Sequence, residues 1–135
     1  MKELVIEAKT DNLPTVIEFI QSELDQANCP PKILRKMLLA AEELFVNIAL
    51  YAYLPEHGVA TIRIYEGDEI TLVFEDSGKP YNPLDQATPD ISAEANDRAV
   101  GGLGIFMVRQ MMDHIHYEFK DGKNCLTISK NMTNS

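Results

Sequence analysis

One long helical stretch, residues 34–52, carries apolar side chains on more than one face and constrains the fold most. A wide apolar stripe repeats at helical spacing along it: Leu34, Met37, Leu38, Ala41, Leu44, Phe45, Ile48 and Ala52. Leu39, Val46 and Leu50 lie on the opposite side of the same helix. We therefore expect a sheet to cover one side of this helix and something else to cover the other.

A shorter helix precedes this one. Asp11-Asn12-Leu13-Pro14 is typical of a helix start, with a capping side chain and a proline in the first turn. The residues that follow place an apolar face at helical spacing: Val16, Ile17, Phe19, Ile20 and Leu24. Pro30-Pro31 ends this helix and opens the next one.

Alternating apolar residues predict strands on either side of the helices. They occur around Leu4 and Ile6, in residues 59–66 and 69–75, and again in residues 114–119 and 126–128. Gly67-Asp68 predicts a tight hairpin in which glycine supplies a positive φ, and Asp121-Gly122 predicts a second turn. A short apolar helix over residues 105–112 lies between the two pairs of strands. The pattern predicts one α/β domain spanning residues 1–135.

Periodicity fails in residues 79–100. This segment carries Pro80, Pro83 and Pro89, several Asp and Asn residues, and few large apolar side chains. Long loops inside small domains are usually functional lids or disordered segments. We predict a lid at residues 84–100.

Composition excludes several classes of function. A chain of 135 residues that is 45% hydrophobic can bury one sizeable core. Its net charge of -9 disfavours a nucleic-acid surface, which needs concentrated positive charge. No segment approaches the roughly 18 consecutive apolar residues of a membrane span, and the start lacks the apolar region of a signal peptide. We expect a cytoplasmic protein without direct contact to nucleic acid or membrane.

Glu43 and Asn47 stand four residues apart on the long helix, so their side chains project together. A carboxylate and an amide oxygen one turn apart can accept a proton and ligate Mg²⁺, which prefers oxygen ligands and is usually shared with substrate phosphates. A solvated helix face that does no chemistry is the alternative interpretation of these two residues.

Asp76 follows a predicted strand and begins a turn that contains Gly78. Its carboxylate is an acceptor suited to the amino group of adenine, and glycine lets the backbone approach a base closely. An Asx turn at a strand end is the alternative. Gly101, Gly102 and Gly104 precede an apolar helix, where free N–H groups and the helix dipole favour phosphate, although they also suit a flexible joint.

Three further observations concern charge and metal. A polyanionic phosphate ligand needs local cations in a chain of charge -9. Arg98 in the loop is the best candidate for a group that reaches terminal phosphates, and Lys79 and Arg109 are weaker candidates. Arg98 is equally compatible with an ordinary solvated position. His114 and His116 have the spacing of a metal pair but lack a third ligand.

Taken in order, these motifs resemble the three nucleotide-binding boxes of the superfamily of gyrase-type ATPases, heat-shock chaperone ATPases, histidine kinases and mismatch-repair ATPases. Residues 76–83 and 101–117 are especially similar to the bacterial anti-sigma-factor serine/threonine kinases. Two positions depart from the pattern: Tyr51 stands where many members have histidine, and Tyr81-Asn82 replaces the usual Phe-Asp. The resemblance implies a two-layer sandwich of the Bergerat type, with a mixed, mostly antiparallel sheet and helices on one face.

The resemblance also implies a role for each of these motifs, and it makes the predicted lid at residues 84–100 an ATP lid. Glu43 would be the general base, Asn47 the Mg²⁺ ligand, and Asp76 the residue that recognises adenine, with Gly78 shaping the contact to the base. A further group would shape the contacts to the phosphates: Gly101, Gly102, Leu103 and Gly104.

The expected activity is therefore transfer of phosphate from ATP with Mg²⁺ to a serine or threonine of a small anti-sigma-factor antagonist. A sigma factor or analogous regulator would be the second partner, and a homodimer is among the expected assemblies. The rival function is a nucleotide-dependent switch that binds a partner without phosphorylating it. We do not expect the catalytic fragment of a histidine kinase, because no phosphoacceptor helix pair precedes residue 1.

Overall fold

A five-stranded sheet forms one layer of the fold. The computed structural model describes residues 1–54, 56–85 and 102–133, of which 102 and 103 are described by their backbone alone. The strands are β1 (Lys2–Glu7), β2 (Val59–Tyr65), β3 (Glu69–Asp76), β4 (His114–Lys120) and β5 (Lys123–Asn131). Their order is β1-β2-β3-β5-β4, and all four neighbouring pairs are antiparallel. Within the described residues the sheet is thus antiparallel throughout, without the parallel pair that the expected mixed sheet would contain.

Among the described residues, three helices form the second layer: α1 (Leu13–Gln26), α2 (Pro31–Asn47) and α3 (Gly102–Met111). A π-helical turn, Ile48–Ala52, continues α2, and Pro83–Asp85 form a 3₁₀ turn. The core lies between the layers, where alternate residues of β2, β3 and β5 meet Ile20, Met37 and Phe45 of the helices. The predicted α/β sandwich with helices on one face is confirmed. No helix in the described part of the chain is both long and apolar enough to cross a bilayer.

One side of α2 is exposed in the described structure. Leu39 and Leu50 are 51% and 37% exposed, and Val46 is half-buried. The neighbouring helices α1 and α3 contact α2 on other sides. Of the expected cover on both sides, the described residues leave this side open at Leu39 and Leu50.

Two local predictions also differ from the structure. The side chains of Asp11 and Asn12 do not cap α1, because Thr10–Asn12 form a 3₁₀ turn that runs into the helix; Asn12 Nδ2 instead donates to Glu7 O at 2.9 Å. Gly67 does not adopt a positive φ, since Tyr65 pairs with Thr71 and the connection is longer than a two-residue turn. Positive φ occurs instead at Asp121 and Gly122, at 55° and 77°, as a tight β4–β5 hairpin of the I′ kind requires.

Of the predicted lid at residues 84–100, only Leu84 and Asp85 are among the described residues, in the 3₁₀ turn. The remainder of that segment, with Arg98, lies outside the described residues, as does Gly101. The lid remains a prediction.

Candidate nucleotide site

Asp76 is the last residue of β3 and continues the inward-facing side of that strand, after Leu72 and Phe74. It is only 8% exposed. Its Oδ1 accepts two hydrogen bonds, from the Gly78 N–H at 2.8 Å and from Asn124 Nδ2 at 3.0 Å. Within the described residues no hydrogen bond reaches Oδ2, which leaves this oxygen as the available acceptor. Burial raises the pKa of Asp76, and the two hydrogen bonds oppose that rise.

Asn124 is the centre of the hydrogen bonds around Asp76, although the sequence analysis did not identify it. It lies opposite Asp76 in the β3–β5 register. Besides Asp76, its Nδ2 donates to Lys79 O at 2.8 Å, while its Oδ1 accepts from the Tyr81 N–H at 3.0 Å and from the Tyr117 hydroxyl. Both donor hydrogens and both acceptor positions of the amide are therefore in use.

A sequence signal for Asn124 did exist. It occupies the same side of β5 as Leu126 and Ile128, which are buried in the core. A polar residue at an inward position of an alternating strand has to find hydrogen-bond partners inside the protein. That rule points to a polar contact at Asn124, but it does not identify the partner.

Gly78 allows the turn after Asp76 to lie directly on the end of the π-helical turn. A Cβ at position 78 would lie 2.2 Å from the backbone oxygen of Ala52, and Lys79 N–H donates to that same oxygen at 3.2 Å. Tyr53 adds a second connection, since its hydroxyl donates to Val59 O at 2.6 Å and accepts from the Ser77 N–H at 2.7 Å. The turn that holds Asp76 is thus fixed to the C-terminal end of the α2 region.

Glu43 and Asn47 form the expected pair on α2. Asn47 Nδ2 donates to Glu43 Oε2 at 2.9 Å, which leaves Asn47 Oδ1 as the amide oxygen available to a cation. Glu43 is half-buried, and burial raises its pKa; the hydrogen bond from Asn47 opposes the rise and neighbouring Glu42 adds to it. A carboxylate with a raised pKa is suited to accept a proton.

Gly104, in the first turn of α3, lies against the Glu43 carboxyl group. A Cβ built on Gly104 would lie 2.0 to 2.3 Å from the carboxyl atoms of Glu43. Only glycine therefore allows α3 to start this close to the Glu43 carboxyl group. The backbones of Gly102 and Leu103 lie in the same first turn, where free N–H groups favour phosphate.

A cavity of about 500 Å³ joins these elements. Asn47 from α2 and Asp76 from β3 both line it, with the aromatic side chains of Tyr51, Tyr81 and Tyr117. The volume is in the range of small-molecule sites, which combine mostly apolar walls with a few placed polar groups. Glu43 is not part of this lining and lies one helical turn before Asn47, at the edge of the cavity.

The cations and histidines are distributed as follows. Lys79 lines the cavity, whereas Arg109 is engaged elsewhere, with Nη2 donating to Leu84 O at 2.7 Å. His114 lies 3.6 Å from Glu69, and the described residues contain no cluster of three or more His, Cys, Asp or Glu side chains able to hold a metal. A divalent ion in this cavity would therefore take most of its ligands from phosphate and water, as Mg²⁺ usually does in nucleotide sites.

Comparisons with known proteins agree with this geometry. Residues 6–130 match the model of the histidine kinase-like ATPase domain. The chain is 31% identical to the serine/threonine-protein kinase BtrW of Bordetella bronchiseptica over 96 residues, which cover 69% of this chain and 67% of that protein. The expected relationship to the anti-sigma-factor kinases is confirmed, and the name of this relative supports the expected kinase activity.

Solved structures with the same fold are more distant in sequence. The structure of the RsbU and RsbW domains of Rv1364c from Mycobacterium tuberculosis superposes with a TM-score of 0.67 at 11% identity, covering all of this chain and 34% of that one. The histidine kinase AdeS of Acinetobacter baumannii superposes with a TM-score of 0.51 at 16% identity, covering 99% of this chain and 69% of the other. This chain thus spans about a third of the Mycobacterium protein chain.

These superpositions establish the fold, and the match over residues 6–130 establishes the family. A family of ATPase domains implies ATP as the nucleotide, and the cavity between α2 and the end of β3 is where the structure offers room for it. With nearly its whole length matched, the chain belongs to the histidine kinase-like ATPase domain family.

Proposed function

We propose that this protein is an ATP-dependent serine/threonine kinase of the anti-sigma-factor type, which phosphorylates a small antagonist protein. One observation carries the proposal. Asn47 and Asp76 line a single cavity, and the Glu43–Asn47 pair stands at its edge, where the terminal phosphate of a bound nucleotide would end. A site that only bound nucleotide would have no use for a half-buried carboxylate at this place.

Asp76 is assigned to the adenine base. Its Oδ1 is held by Gly78 and Asn124, so the carboxylate cannot rotate freely, and Oδ2 remains to accept the exocyclic amino group. Guanine presents a carbonyl oxygen at the equivalent position, which a carboxylate repels. The aromatic and aliphatic walls of the cavity suit a planar base.

Asn47 is assigned to Mg²⁺ through Oδ1, since its Nδ2 donates to Glu43. When bound, the ion would neutralise charge on the phosphates during transfer. Lys79 lines the cavity and is a second source of positive charge. For the phosphates we assign the N–H groups at the start of α3, from Gly102, Leu103 and Gly104; Gly101 and Arg98 retain the phosphate roles expected from the sequence.

Glu43 is assigned as the general base. The acceptor hydroxyl oxygen attacks the γ-phosphorus of ATP, the bond from that phosphorus to the bridging oxygen breaks, and ADP leaves. The hydroxyl proton passes to the Glu43 carboxylate. Burial raises the pKa of Glu43 and thus increases its affinity for this proton.

The relatives support the proposed partners. The Bordetella relative is named a serine/threonine-protein kinase, and the Mycobacterium chain of the same fold contains an RsbW domain. We therefore assign to this chain a small antagonist protein as phosphoacceptor, and a sigma factor or analogous regulator as the partner that it sequesters.

The test uses two neighbouring variants and labelled ATP, with the small antagonist-like protein encoded nearest this chain's gene as acceptor. Glu43→Gln should keep the affinity for ATP within a few fold and lower phosphoryl transfer by on the order of 10² to 10⁴, the usual worth of a positioned base. Asn47→Ala should weaken binding of ATP with Mg²⁺ itself. If Glu43→Gln transfers phosphate as fast as the parent, the base is another group. If the parent binds ATP but transfers phosphate to no protein, the chain is a nucleotide-dependent switch.

A further inference from the structure

The exposed side of α2 combines apolar, basic and acidic residues. At 100° per residue, its members in α2 all lie within about 60° of Leu39 around the helix axis. We call it the outer face of α2: Lys32, Arg35, Lys36, Leu39, Glu42, Glu43 and Val46, together with Leu50 of the π-helical turn that continues the helix. Its basic residues lie at the N-terminal end, and its acidic residues lie nearer the cavity. Leu39 and Leu50 are exposed in its middle and C-terminal parts, and Lys32 and Arg35 are exposed at its N-terminal end.

The basic end of this face is unusual on electrostatic grounds. Cations near the N-terminus of a helix oppose the helix dipole, and the first turn of α2 holds no acidic residue to offset Lys32. Within the described part of the chain, neither Lys32 nor Arg35 nor Lys36 makes a salt bridge. A chain of net charge -9 thus keeps three of its 12 Lys and Arg residues together where they do not stabilise the helix.

Glu43 lies on the side of this face that adjoins Asn47 and the cavity. It lies about 40° around the helix from Leu39 and about 6 Å along it, and Asn47, which lines the cavity, lies about 40° further round. A general base has to come within roughly 3 Å of the hydroxyl it deprotonates. A folded protein that brings a serine or threonine to Glu43 therefore covers side chains one turn away, starting with Leu39.

We propose that the outer face of α2 is the docking surface for the phosphoacceptor protein. The acceptor would place apolar side chains on Leu39, Val46 and Leu50 and acidic side chains on Lys32, Arg35 and Lys36. Buried apolar contacts at the centre and complementary charge at the rim are the usual anatomy of such an interface. This inference rests on the proposed kinase function and adds the place and the chemistry of substrate binding.

The experiment measures steady-state phosphorylation of the same antagonist-like protein by the parent and by two variants, Leu39→Glu and Lys32→Glu. Both should raise the KM for the acceptor protein about tenfold, with kcat at saturating acceptor and the affinity for ATP unchanged. The parent's kcat/KM should fall as salt is added, and Lys32→Glu should reduce that dependence. Lys32→Glu also places an acid in the first turn of α2, so thermal unfolding should show unchanged or increased stability.

Matched controls come from β1, where Lys2 is exposed and Val5 is 58% exposed. Lys2→Glu and Val5→Glu make the same chemical changes away from α2 and should leave the KM unchanged. An unchanged KM in both α2 variants, with an active parent, would overturn the docking inference and leave the kinase assignment intact. If sedimentation shows that Leu39→Glu dissociates a dimer while the KM for the acceptor protein stays unchanged, the docking inference is likewise overturned and the kinase assignment stays intact. If the parent transfers phosphate to no protein, the kinase assignment fails and the inference fails with it.

Discussion

A single methyl group at Gly104 should displace the proposed catalytic base. The Cβ of alanine would lie 2.0, 2.1 and 2.3 Å from the Cδ, Oε1 and Oε2 atoms of Glu43. Ordinary contact needs about 3.5 Å or more, so the carboxyl group has to move by more than about 1 Å. Because the crowded atoms are the end of a flexible side chain, Glu43 can rotate away while the backbone of α3 stays in place.

The cost to stability should be small. Rotation breaks the 2.9 Å hydrogen bond from Asn47 to Glu43, which is worth about 1 kcal/mol in a part-buried place. Alanine in place of glycine within a helix raises the free energy of unfolding by about 0.5 to 1 kcal/mol, and the displaced carboxylate becomes better hydrated. The free energy of unfolding of Gly104→Ala should therefore lie within about 1 kcal/mol of the parent.

The rate of phosphoryl transfer should fall strongly. Displacing a positioned base removes much of the rate enhancement of about 10² to 10⁴ that such a base usually contributes. Single-turnover transfer of labelled phosphate measures the rate, and urea denaturation measures stability. Gly67→Ala is a neutral control, because no atom lies within 4 Å of its Cβ position. Gly78→Ala is the opposite control: its Cβ meets the Ala52 backbone at 2.2 Å and should destabilise the fold by about 1 to 3 kcal/mol. A Gly104→Ala protein that transfers phosphate at the parent rate would refute the reasoning.

Three further predictions concern groups of the cavity. Asp76→Asn should weaken ATP binding far more than GTP binding in calorimetry, and it should also raise the free energy of unfolding at neutral pH. The sign follows from burial, which raises the pKa of Asp76: the stability contributed by its protonated form is present at low pH and is lost as pH rises through the raised pKa. Asn124→Ala should cost at least about 2 kcal/mol in urea denaturation, because it removes the hydrogen bonds that Asn124 makes with the Asp76 carboxylate, with Lys79 O and with the Tyr81 N–H. The rate of phosphoryl transfer should fall as pH falls through the pKa of Glu43, at a pH above that of an ordinary glutamate, and a rate that stays flat there would contradict a carboxylate base.

The parts of the site that were predictable from the sequence are those fixed by local geometry. Glu43 and Asn47 meet because residues four apart on a helix are neighbours wherever that helix packs. Asp76 continues the inward alternation of β3, so its burial follows from the strand period. The order of the boxes in the sequence then supplied the family.

The unpredicted parts depend on contacts between segments distant in the chain. Asn124 meets Asp76 only because β5 pairs with β3 in one register, which no periodicity specifies. The contact between Gly104 and Glu43 depends on how closely α3 packs on α2. The incorrect prediction of a two-residue turn at Gly67 has a similar origin. Pairing between β2 and β3 stops at Tyr65 and Thr71, earlier than a two-residue turn requires.

The hydrogen bond between Asp76 and Asn124 spans 48 residues, and this span has a consequence for the order of folding. Contacts of such separation form only after the entropy of closing a long loop has been lost, so they belong to late stages of folding. The proposed adenine site at Asp76 is therefore absent until β5 has inserted between β3 and β4. A nucleotide that binds only the finished sheet stabilises it by about 2.7 kcal/mol at a hundred times its dissociation constant. Because the site forms late, we expect this stabilisation to appear as slower unfolding of the nucleotide-bound protein, with the folding rate unchanged.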